Sequence, residues 1–141
     1  MIGEHFLNKC LNSKTINDPW PHQYIEDTLP QDEFLKLQDQ CRGINVPKDK
    51  LVAIHPYDFK EHKITFYDQL YDISQKCLNN ARALCEQYPN HRWYDKLDVN
   101  CHISITPPLP YKFYIHMEGL EKIWSSVTYI TPEENVGTKM Y

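Results

Sequence analysis

His116 and Glu118 stand one residue apart in the run "YIHMEG", Tyr114 to Gly119, which otherwise has the aromatic and β-branched character of an extended segment. In a strand, residues i and i+2 share a face, so an imidazole nitrogen and a carboxylate oxygen would stand side by side. Burying such a pair without partners is costly. Either a metal or another polar group answers both, or the pair lies at a solvated edge beside Gly119. An imidazole and a carboxylate are two of the three ligands in the two-histidine, one-carboxylate arrangement that holds non-heme Fe(II) and leaves positions open. His102, in "VNCHISI", is the one upstream histidine on a segment of strand character, and it could supply a further ligand. Its plainer reading is a partly buried strand histidine bonded to backbone. His5, His22, His55, His62 and His91 fall in loop-like stretches and read as solvated.

Other chemistries find little support. No G-x-S-x-G or comparable nucleophile motif occurs, and four glycines in 141 residues cannot build a phosphate cradle. Net charge is −4, the pI is about 5.9, and no run of Lys or Arg exceeds two, so the electrostatic footprint of a nucleic-acid binder is missing. No apolar run approaches the length of a membrane span, and the N-terminus lacks a signal-peptide core, which predicts a cytoplasmic protein. The five cysteines, Cys10, Cys41, Cys77, Cys85 and Cys101, are odd in number and form no CxxC pair. They read as reduced thiols used as small apolar residues.

The elements that must position these residues fall in two halves. Residues 1–16 show no clear period and are expected to be a loosely ordered lead-in, with one domain over 17–141. Pro19 and Pro21 enforce an extended approach to "HQYIED", a short strand. "LPQDEFLKLQDQCRG" reads as a helix, acidic in its first turn and stopped at Gly43. Residues 45–66 are mixed, predicting loop with short extended pieces. From Asp68 to Tyr88, Leu70, Ile73, Cys77, Leu78, Ala81, Leu84, Cys85 and Tyr88 recur at helical spacing. After Trp93 the period changes. "KLDVNCHISIT", "YKFYIHME", "KIWSSVTYIT" and "TKMY" are strand-like runs separated by turn residues, which makes an antiparallel meander and an α+β layout.

From Tyr114 onward, "YIHMEGLEKIWSSVTYITPEENVGTKMY" resembles the first half of the core of the 2-oxoglutarate- and Fe(II)-dependent oxygenases. In that family an H-x-[DE] strand is followed by a strand of small and aromatic residues, here ending Tyr129-Ile130-Thr131. An acidic loop with Pro comes next, then a glycine-led strand, here Gly137-Thr138-x-x-Tyr141. "PWPHQYIEDTLPQDEFLKL" also resembles the opening of the prolyl-hydroxylase-like members. Together the resemblance covers residues 17–38 and about 98–141.

It implies supporting helices followed by antiparallel strands that form part of a double-stranded β-helix, or jelly roll. It implies His116 and Glu118 as iron ligands, with Glu where the family more often has Asp. Tyr129 falls where a tyrosine hydroxyl binds the far carboxylate of 2-oxoglutarate. Ser125, four residues earlier on the same strand face, would line that pocket, while Trp124 has packing parity. A core aromatic with its hydroxyl at the surface remains the equal alternative for Tyr129. Fe(II), 2-oxoglutarate and O2 would together hydroxylate a small-molecule or peptidyl substrate.

The family's distal histidine and the basic residue for 2-oxoglutarate lie beyond the stretch that ends here at Tyr141. The sequence is therefore expected to supply only the N-terminal part of the domain, leaving a sheet edge open to self-association or to a completing chain. Two alternatives stay open. One is a catalytically inactive oxygenase-like binding module. The other is a cupin-like metal protein using His102, His116 and Glu118.

Overall fold

The computed structural model describes residues 1–18, 21–87, 96–107 and 125–130. Among the described residues, the regular structure is three α-helices and one two-stranded antiparallel sheet: α1 (Ile2–Asn12), α2 (Gln31–Arg42), β1 (Val52–Ile54), α3 (Tyr67–Glu86) and β2 (Ile103–Ile105). A short 3-10 turn, Pro56–Asp58, follows β1. The α+β class is observed.

The longest helix forms where the apolar period is most regular. Ile73 and Leu78 of α3 are buried, and Leu70 and Cys77 pack beside them. Against α3 lies α1, which replaces the loosely ordered lead-in expected over residues 1–16. Its Ile2, Phe6 and Cys10 recur at i, i+4 and i+8, a narrow apolar stripe that has no stability until α3 covers it. Gly3 makes that approach possible. A Cβ there would meet the Asp72 carbonyl oxygen at 2.6 Å and Lys76 Cγ at 2.8 Å. The gap is bridged by the Gly3 N–H, which donates to Asp72 Oδ2 at 2.7 Å. A carboxylate thus answers one of the unpaired amides, and the positive dipole, of the α1 N-terminus. Lys76 pairs with Glu4 next to it. The hydrogen bond and then the charge of Glu4 raise the Lys76 pKa. That contribution is full below the ordinary lysine pKa and is lost as pH rises through the raised one.

Predicted helices over 31–42 and from residue 68 onward are found, and Gly43 follows the last turn of α2. "HQYIED" is not a strand. Among the described residues, only His22 pairs, in an isolated antiparallel bridge to Ile16 closed by two 2.8 Å hydrogen bonds. Between 45 and 66 the mixed reading holds, with β1 and the 3-10 turn as the ordered pieces. The meander is corrected where it is described: residues 125–130 form no strand, and β2 pairs with β1. The "YKFYIHME" and "TKMY" runs lie outside the described residues.

The core sits between the helices and the inner face of the sheet. Phe6, Leu29, Leu37, Ile54, Phe59, Ile64, Phe66, Ile73 and Ile103 form one buried cluster, with Ile54 and Phe59 the most completely enclosed. Val52 and Ile54 face inward and Ala53 outward, the period of two that a half-buried strand requires.

Gly3→Ala tests the close helix contact. Helix propensity alone favours Ala by about 1 kcal/mol, but the new methyl meets backbone. The expected outcome is a net loss of about 1–3 kcal/mol, read from urea unfolding of the full chain.

Candidate metal centre

His116 and Glu118 lie outside the described residues, as do His91 and Trp124. The two residues expected to touch 2-oxoglutarate are described. Ser125 and Tyr129 belong to the segment 125–130, which has no regular structure. Ser125 is exposed and Tyr129 is 44% exposed. Because the segment is not a strand, alternation does not put Ser125 and Tyr129 on one face. What positions Tyr129 is its neighbour. Ile130 packs against the core, and its carbonyl accepts a hydrogen bond from Gln38 Nε2 of α2 at 3.1 Å. Helix α2 therefore holds the segment that carries Tyr129.

His55, read as a loop residue, and His102, read as a strand residue, lie together. His102 directly precedes β2 and His55 directly follows β1, and their ring centroids are 5.4 Å apart. The ladder pairs Val52 with Ile105, Ala53 with Ser104 and Ile54 with Ile103. One step further, the same register sets His55 opposite His102. Both share parity with outward-facing Ala53 and Ser104, and His102 is exposed. His55 also stacks on Tyr57, with centroids 5.2 Å apart and planes 6° from parallel. The signal was present in the sequence. "VAIH" read forward and "HISI" read backward match apolar to apolar, small to small and histidine to histidine.

Of the remaining histidines, His5 is helical rather than in a loop. Its Nε2 lies 2.7 Å from the Asp27 carbonyl oxygen, tying α1 to the turn that precedes α2. No group of three or more His, Cys, Asp or Glu side chains is placed to hold a metal ion among the described residues. A small cleft lies between α3 and residues 98–101. It is lined by Tyr67, Leu70, Tyr71, Leu78 and Val99, with the Ser74 hydroxyl and Cys101 thiol in contact at 3.1 Å.

The cysteines are all free thiols and partly buried. Burial raises the pKa of Cys10 and Cys41. Cys77 is pushed up to about 11, first by burial and then by the nearby Cys10 and Cys101 sulfurs. These are packing thiols rather than poised nucleophiles. Comparison with protein-family models, with curated proteins and with solved structures finds no match. Among the described residues, no helix is long and apolar enough to cross a membrane.

The raised Cys77 pKa predicts slow alkylation of the folded chain. At pH 8 its thiolate fraction is on the order of 100-fold below that of a free cysteine. Its iodoacetamide labelling rate, followed by peptide mass spectrometry, should climb about tenfold per pH unit between 8 and 10. A rate equal to that of the urea-unfolded chain at pH 8 would contradict the buried placement.

Proposed function

We propose that this chain carries the N-terminal part of an Fe(II)- and 2-oxoglutarate-dependent oxygenase of the prolyl-hydroxylase-like group, with His116 and Glu118 as two iron ligands. The observation that carries the reading is the H-x-E pair in a run of strand-like composition, followed at the family spacing by Tyr129 and the glycine-led "GTKMY". Helix α2, directly after the "PWPHQYIED" approach, supports it. The absence of a strand in that approach, and at residues 125–130, departs from the family pattern.

The donor set fits the group. One imidazole and one carboxylate one residue apart, which an extended backbone would put on one face, suit a divalent iron that must keep positions free for other ligands. Glu in place of Asp adds a methylene, which would set the ion slightly farther from the backbone. When bound, the iron supplies O2 activation coupled to decarboxylation of 2-oxoglutarate, which oxidises a substrate C–H bond. The chain's own part is to hold and orient. The His116 imidazole and Glu118 carboxylate bind the ion. The Tyr129 hydroxyl donates to the far carboxylate of 2-oxoglutarate. Gln38, through the Ile130 carbonyl, fixes the backbone on which Tyr129 sits. The substrate is a small molecule or a peptidyl side chain.

Anaerobic addition of Fe(II) and 2-oxoglutarate to the full chain should produce a weak visible charge-transfer band. The band should vanish in His116→Ala and Glu118→Ala. Tyr129→Phe should keep Fe(II) affinity but raise the 2-oxoglutarate concentration needed by roughly 10–100-fold, the loss of one hydrogen bond to a charged group. A wild-type chain with no band, or a band that survives both ligand substitutions, would defeat the assignment.

A further inference from the structure

The geometry points to a second, separate metal site: His55 and His102 form a cross-strand imidazole clip for a borderline divalent transition-metal ion such as Zn(II). The site closes the open end of the β1–β2 ladder, with water in the remaining positions. It is independent of His116 and Glu118 and of the oxygenase reading.

The spacing is the first argument. A zinc-bound imidazole nitrogen lies about 2.0–2.1 Å from the ion, which puts the ion roughly 3.2 Å from the ring centre. Two rings at a tetrahedral angle on one ion are then about 5.2 Å apart, against the observed 5.4 Å. The rings are tilted by 43° rather than stacked face to face.

The second argument is that both backbones are held where they are. The antiparallel register fixes the two backbones opposite each other. The His55 carbonyl accepts the Asp58 N–H at 2.9 Å as the chain turns through Pro56, and the Tyr57 ring lies flat on the imidazole. On the other strand, Cys101 next to His102 contacts the Ser74 hydroxyl of α3. Such preorganisation lowers the ordering cost of binding. Imidazole suits Zn, Cu and Ni rather than Mg or Ca.

Because the ligands come from segments nearly fifty residues apart, an ion held between them would bind the folded chain in preference to the unfolded one. It would therefore raise the thermal midpoint. The site needs no catalytic role. It acts as a clip.

The test is a Zn(II) titration of the full, reduced, histidine-labelled chain, followed by the imidazole nitrogen resonances. His55→Asn and His102→Asn assign the two rings. Both rings should shift together along one binding curve in the wild type. Either substitution should raise the Kd at least about tenfold and silence the partner ring, with the circular dichroism spectrum unchanged. His116→Ala and Glu118→Ala should leave the curve unaltered, so this site and the iron site stand or fall separately. Zn(II) should raise the thermal midpoint of the wild type but not of the two Asn variants. Rings that shift independently, rings that stay silent while zinc is taken up elsewhere by the thiols, or a response lost with His116, would each overturn the proposal.

Discussion

The antiparallel pairing of β1 with β2 is the constraint on which the rest depends. It joins two three-residue segments at a sequence separation of about fifty, and it does so with almost no ladder to spare. So short a ladder is marginal by itself in water. What holds it is the core beneath, where Ile54 and Ile103 meet Phe59 and Ile73. A slip of one residue would expose both isoleucines and turn Ala53 and Ser104 inward. The loss of that apolar burial is large enough to specify the register without help from turn geometry.

The helical layer solves a different problem. The α1 stripe is narrow, and an eleven-residue helix is marginal alone. It forms because α3 offers a groove at Asp72 and Lys76 and because Gly3 lets the two backbones close. The polar contacts at that seam, Gly3 to Asp72 and Glu4 to Lys76, fix the relative position of the helices. The apolar contacts of Ile2, Phe6 and Cys10 supply most of the burial. Leu29 and Leu37 bring the turn before α2, and α2 itself, into the same cluster, and Gln38 carries that order outward to Ile130.

What the sequence made legible follows from these forces. Helices α2 and α3 have long apolar periods and clear boundary residues, so their extents were close. Helix α1 is hard to read because its stripe is only Ile2, Phe6 and Cys10, and because Gly3 owes its value to a tertiary contact with α3 that no local pattern reveals. "HQYIED" has strand composition, but among the described residues its backbone pairing is one bridge to Ile16, and composition alone cannot supply a neighbouring strand. His55 looked like a loop histidine because each short run, taken singly, is too weak to register as a strand. Only by aligning "VAIH" against the reverse of "HISI" does the pairing emerge. The H-x-E reading depends on residues 116 and 118 themselves, and its physical basis is the same alternation that holds at β1 and β2.

Methyl nuclear Overhauser effects on the isolated full chain test the ladder most directly. The register predicts strong cross-strand contacts from Ile54 to Ile103 and from Val52 to Ile105, with Ala53 facing Ser104 on the other side. Contacts from Ile54 to Ser104, or none between these segments while α1 and α3 remain docked, would contradict it.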